Sequence, residues 1–264
     1  MRFSTLSLGG LMLVATAAPA FADDAAPPPA ITISGGATVV SDYRFRGVSQ
    51  TDKNFAVQGT FTIAHESGLY FTVWGSSVDS YVIASSVSHQ EIDIIGGYKK
   101  AFGGTTLDVG VLYYFYPKTK LIPGDTASSD FFEPYVSLAH TFGPVTAKAT
   151  VNYAFKQKAT GATQGLVPEP KKDNVYLAGD LSAAIPGTPL SLTGHLGHTW
   201  GSGWLAVDST GKKGYTDWAV GAAVTYKALT LGVSYVDTDA DFRNGFTNHK
   251  ISNGGVVATL GVAF

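Results

Sequence analysis

From Ile31 onward, apolar side chains recur at every second position over stretches of about nine to thirteen residues, and no stretch carries the three- and four-residue spacing of an amphipathic helix. Such a chain can only form extended strands whose two faces meet different surroundings. In one stretch Val145, Ala147, Ala149, Val151, Tyr153 and Phe155 share a face, against Thr146, Lys148, Thr150 and Asn152. In another, Leu107, Val109, Val111, Tyr113 and Phe115 oppose Asp108, Gly110, Leu112 and Tyr114. Parity alone fits a soluble barrel as well as a membrane one, because either sorts its residues by twos. Length separates them: soluble strands cluster near five or six residues, whereas about nine to eleven tilted residues cross a bilayer. Aromatics also gather near the strand ends, at Tyr98, Phe102, Tyr113–Tyr116, Phe131, Phe132, Phe142, Tyr153, Phe155, Trp218 and Tyr226, as membrane-interface belts require.

Twelve strands are predicted, over residues 33–48, 55–66, 69–79, 90–101, 105–116, 130–142, 145–157, 173–184, 190–199, 215–226, 229–238 and 254–264. Their connections alternate. "ESG", "FGG", "FGP", "IPGTP" and "KA" are tight and turn-like, whereas "PKTKLIPGDTASS", "KATGATQGLVPEPKK", "GSGWLAVDSTGKKG" and "DTDADFRNGFTNHKISN" are long and polar. Short links on one side and long ones on the other, with both termini on the short side, predict a single-chain, 12-stranded antiparallel transmembrane β-barrel over residues 31–264. Ahead of it, Met1–Ala22 reads as an export signal cleaved after Ala22, and Asp23–Ala30 as a Pro-rich periplasmic lead-in. The expected location is the bacterial outer membrane. The sequence has no Cys, so an exported chain of this size does without disulfides. Only 14% of residues are charged, which leaves no basic arm for nucleic acid.

Charge sets the direction of the faces. An arginine or lysine facing lipid at mid-bilayer costs about 2–4 kcal/mol, so the charged phase must point inward. The expected pore-lining set is Asp42, Arg44, Arg46, Glu91, Asp93, Asp108, Glu133, Lys148, Asp180 and Asp217, three basic against seven acidic. Charged rings in a narrow aqueous pore select permeants by their field. The expectation is a mild cation preference with an anion-attracting spot at Arg44 and Arg46. The outer loops are modest, so a constriction is expected from wall side chains rather than from an inserted loop.

Chemistry of other kinds finds little footing. His65 lies near Ser67 and His140 near Ser137, but strand neighbours alternate faces and no nucleophile elbow is present. His195 and His198, three apart, fall on opposite strand faces and cannot converge on a metal. "DTDADF" (Asp237–Phe242) lacks the glycine and the late glutamate of a calcium loop. No catalytic residue, metal or cofactor is expected. At the C-terminus, Val256, Ala258, Leu260, Val262 and Phe264 form an apolar phase ending on an aromatic, which resembles the assembly signal that bacterial barrels present to their insertion machinery.

The stretch Ser41–Asp79, "SDYRFRGVSQTDKNFAVQGTFTIAHESGLYFTVWGSSVD", resembles the TorF family of proteobacterial porins through "SDYRFRG", "AHESGLY" and "WGSSVD". The resemblance implies an outer-membrane location and a channel role, and brings no functional residues with it. The expected function is a porin-like channel passing small polar solutes or ions, with membrane lipid and the assembly machinery as partners. The alternative is a closed structural, adhesive or receptor barrel that acts through its extracellular loops.

Overall fold

Twelve strands pair antiparallel in sequence order, and the last returns to the first, so the sheet has no free edge. They are β1 (Ile31–Val40), β2 (Ala56–His65), β3 (Leu69–Ser77), β4 (Gln90–Phe102), β5 (Thr105–Phe115), β6 (Phe131–Phe142), β7 (Val145–Gln157), β8 (Lys172–Ala184), β9 (Leu190–Gly201), β10 (Tyr215–Tyr226), β11 (Leu229–Thr238) and β12 (Gly255–Ala263). This computed structural model describes residues 29–82, 86–117, 119–120, 129–164 and 169–264. The export signal and the lead-in through residue 28 lie outside the described residues. Closure runs from Gly36↔Ala263 to Val40↔Thr259 and is extended by paired backbone bonds between Gly35 and Phe264, both 2.9 Å.

The two faces sort as the alternation requires. Along β11, Leu231, Val233 and Tyr235 are exposed, while Thr230, Ser234 and Val236 are buried inside the barrel. Along β12, Val256, Ala258, Leu260, Val262 and the terminal Phe264 all face outward. The aromatics near the strand ends divide by parity too. Tyr113, Phe115 and Phe132 stack on the outside, with ring centroids 4.5 Å apart for Tyr113 and Phe132. Tyr114, Tyr116 and Phe131, also predicted as belt residues, are buried inside instead, with Tyr114 stacked on Phe131 at 4.3 Å. On the outer rim the hydroxyls of Tyr113, Tyr153 and Tyr235 donate to Asp130, Asp173 and Asp237, which marks where the wall passes from oil to water.

The first strand departs from expectation. The strand predicted over residues 33–48 ends at Val40, and residues 41–52 fold back into the barrel before exposed Lys53–Phe55 leads into β2. Arg44–Phe45 pairs with Val48–Ser49 as a two-residue hairpin, turning on Arg46 (φ 48) and Gly47 (φ 81). Two positive φ values in succession define the turn whose twist suits a tight hairpin. Glycine is also required at position 47 by space, since a Cβ there would lie 2.9 Å from that of Thr238 and 3.0 Å from that of Asp217. Tyr43 and Phe45, which share the phase opposite the arginines, therefore face not lipid but the inner wall of the barrel. Tyr43 packs edge-on against Trp74 at 5.5 Å, and Phe45 against Tyr114 at 5.9 Å.

The closing seam gives a direct test. A Cβ on Gly35 would sit 2.8 Å from the Phe264 ring and 2.8 Å from the Thr60 carbonyl. Gly35→Val is expected to destabilise the barrel by about 1–3 kcal/mol, the usual cost of overpacking. It should lower the temperature at which the folded band is lost in heat-modifiability gels. Gly59→Ala, whose Cβ meets nothing nearer than 3.9 Å, should leave that temperature unchanged.

Candidate pore and its inserted hairpin

The lumen has two levels. Its upper half, at the strand ends joined by the long loops, holds the hairpin and a packed cluster that includes Tyr43, Trp74, Leu112, Tyr114, Tyr116 and Phe131. Loop residues Trp204 and Leu205 join this cluster, and the Trp204 indole N–H donates to the Ala159 carbonyl at 2.7 Å. Beneath the hairpin lies a cavity of about 240 Å³, reached by Lys99, Asp108, Lys148, Asp180, His195 and Asp217.

Burying charge in the upper half is tolerable only where each group finds a partner. The Asp42 carboxylate ties the hairpin base, accepting from Arg44 Nε at 2.6 Å, Ser49 Oγ at 2.6 Å and Thr51 Oγ1 at 3.3 Å. Arg44 Nη1 donates to the carbonyls of Gly47 and Asn253, each at 3.0 Å, which ties the hairpin to the last long loop. At the tip, Arg46 reaches across the lumen. Its Nη2 lies 2.7 Å from Glu133 Oε1 on β6, and its Nη1 donates to Asn174 Oδ1 on β8 at 3.0 Å. The guanidinium also stacks 4.2 Å from the Tyr176 ring. Glu133 is 0% exposed and further accepts from Tyr114 and Asn152. A left-handed backbone at a non-glycine residue costs of order 1–3 kcal/mol, and at Arg46 these contacts hold it in place.

All ten residues expected to line the pore do face the interior. Arg44 and Arg46 reach it from the hairpin, not from the wall, so the constriction is an inserted loop, contrary to expectation. Both arginines are neutralised by Asp42 and Glu133, so the anion-attracting spot is absent as free charge. Two lumen groups were not singled out in the sequence. Lys99 lies 3.5 Å from Asp108 and shares the phase of Glu91 and Asp93, which is the signal that would have found it. His195 sits between carboxylates, with Nδ1 2.7 Å from Asp180 and Nε2 2.9 Å from Asp217, and Tyr176 donates to the same Asp217. Carboxylate oxygens only accept, so this arrangement matches a ring protonated on both nitrogens. His198 faces outward beside Trp200, bonded to Thr216, as the strand period requires.

The candidate nucleophile pairs gain no catalytic geometry. His65 Nδ1 and Ser67 Oγ do meet, at 2.8 Å, but in the exposed β2–β3 turn, where Ser67 N–H also donates to the ring and no carboxylate among the described residues orients it. His140 bonds Thr105 rather than Ser137. Among the described residues no group of three or more His, Cys, Asp or Glu side chains could hold a metal. In the outer loops, burial pushes the Asp208 carboxyl up. Bonds from the Thr210 hydroxyl and the N–H groups of Asp241, Thr210 and Lys212 outweigh that and hold it below its ordinary value.

Removing one member of the buried Arg46–Glu133 pair strands the other charge. Arg46→Ala is expected to cost about 3–5 kcal/mol in urea unfolding from lipid vesicles. Adding Glu133→Gln should recover most of that loss, because the stranded charge goes with it.

Among solved structures the chain is similar to the NanC porin, at 13% identity over 88% of this chain and 99% of that one, with a TM-score of 0.56. It is also similar to the outer membrane channel DcaP of Acinetobacter baumannii, at 14% identity over 80% and 63% with a TM-score of 0.44. An outer membrane channel from Pseudomonas putida F1 gives 12% identity over 93% and 99%, with a TM-score of 0.45. The first of these likenesses supports the porin-type barrel fold. No curated relative matches the sequence. The model of a family described as bacterial proteins of unknown function, Gcw_chp, covers residues 24–264, and the chain belongs to that family.

Proposed function

We propose that this barrel is an outer-membrane channel through which small polar solutes or ions diffuse passively, with the Tyr43–Gln50 hairpin as its constriction. The observation that carries the reading is a charged interior inside an oily wall: the described lumen holds Lys99, Asp108, Lys148, Asp180, His195 and Asp217 around a cavity of about 240 Å³. A barrel with a merely filled interior gains nothing from so many charges that need partners, whereas a permeation path uses their field. Around the cavity acidic and basic groups balance three to three, and with the hairpin level added seven carboxylates face Arg44, Arg46, Lys99, Lys148 and His195, a small acidic excess that favours cations. In this reading the export signal is removed after Ala22, residues 23–30 lie in the periplasm, and the β12 face ending at Phe264 engages the assembly machinery before the barrel closes in lipid. The role is that implied by the TorF resemblance, and no catalytic step is assigned.

The test is single-channel recording in planar bilayers. The intact protein is expected to give small conductance steps with a mild cation preference. A variant in which residues 43–50 are replaced by a short Gly-Ser link, and which still shows a heat-modifiable folded band, should give steps several-fold larger. Silence from both folded proteins at every voltage would leave the closed-barrel reading, with function placed in the extracellular loops.

A further inference from the structure

Three carboxylates cluster where the hairpin meets the wall. Glu91 and Asp93 lie on the same inward face of β4, 2% and 1% exposed, and Glu133 faces them from β6. Their surroundings are unequal. Glu133 has Arg46. Glu91 accepts from the Tyr43 hydroxyl of the hairpin at 3.1 Å and from Tyr116. Asp93, opposite Trp74 on β3 and Tyr114 on β5, has an oxygen with no hydrogen-bond partner among the described residues. The charged or titratable groups facing this pair are Tyr43, Tyr114, Tyr116 and Glu133, with Arg46 committed to Glu133 and Asn174. Among the described residues no cation pairs with Glu91 or Asp93.

Two adjacent buried carboxylates without a cation cannot both be charged; one proton held by the pair removes the conflict. The hairpin is what buries them, because Tyr43 caps Glu91 and packs on Trp74. We propose that the Glu91–Asp93 pair is a proton-operated latch on the hairpin: with a proton bound the hairpin stays seated, and loss of that proton as pH rises drives it out, opening the lumen. The sign follows from linkage. The seated state holds the proton more tightly than the released state, so its advantage is present at low pH and falls as pH rises, by up to about tenfold in the seating equilibrium per pH unit while one proton is linked.

This inference rests on the channel reading for its consequence, but the hairpin's movement can be read separately. The native chain has no cysteine, so Val48→Cys gives a single thiol at a hairpin residue packed against Tyr215 and Ile251. Its maleimide labelling rate is measured from pH 5 to 9 in lipid vesicles, relative to the same thiol in an Asp93→Asn background, which cancels the thiol's own pH dependence. The expected ratio rises at least about tenfold across that range. Glu91→Gln as the reference in place of Asp93→Asn should give the same rise. In parallel, the intact protein's conductance should rise with pH, while the hairpin-deleted variant conducts at every pH. A flat labelling ratio and flat conductance in the intact protein, with the deleted variant still conducting, would overturn the latch and leave the channel. A silent deleted variant would overturn the channel, and the labelling ratio would still decide the latch.

Discussion

Hydrocarbon offers the backbone no hydrogen-bond partner, and that one constraint accounts for most of what this chain does. Each N–H and C=O of a spanning segment must find its mate inside the protein, so the sheet has to close, and β12 has to reach β1. The seam closes tightly at the Gly35–Phe264 pair, where the Phe264 ring lies over a position that has no side chain. The same constraint sorts the side chains. One half of every strand is solvated by lipid and becomes apolar, and whatever charge the chain carries at that depth is forced inward.

An interior reached that way brings its own difficulty. Twelve strands enclose more space than wall side chains readily fill, and the chain spends residues 41–52 inside it. The hairpin brings two arginines into a region already crowded with carboxylates, and Asp42 and Glu133 absorb them. Below, Lys99 lies near Asp108, and His195 sits between Asp180 and Asp217. Lys148 stands opposite Asp180 in register. The result, among the described residues, is an interior with paired charge near the cavity and two carboxyls, Glu91 and Asp93, that have no cation partner, beside the hairpin.

The strands were legible because lipid enforces a strict period of two: residues 145–157, 215–226 and 229–238 are strands over the same bounds in the structure. So were the seven inward charges that lie on strands, from Glu91 to Asp217, since their cost on the lipid face is several kcal/mol; Asp42, Arg44 and Arg46 are inside because the hairpin carries them there. The hairpin was not. "DYRFRG" alternates like a strand, and its turn is Arg-Gly rather than the Asn-Gly or Asp-Gly that announces two positive φ values, so nothing local stops β1 at Val40. What stops it is long-range: Arg46 finds Glu133 far along the chain, and such pairings leave no periodic trace. His195 was passed over for a related reason, because its significance comes from Asp180 and Asp217 on the two neighbouring strands.

The central claim, that alternate residues along each strand face oil and an inward space, can be read directly by a spin-label scan. The chain has no cysteine, so single cysteines along residues 229–236 of β11 can be labelled one at a time in vesicles. Relaxation by oxygen, which concentrates in hydrocarbon, should be strong at 229, 231, 233 and 235 and weak at 230, 232, 234 and 236. Oxygen accessibility that varies smoothly along the strand, without a two-residue period, would contradict the barrel and everything placed inside it.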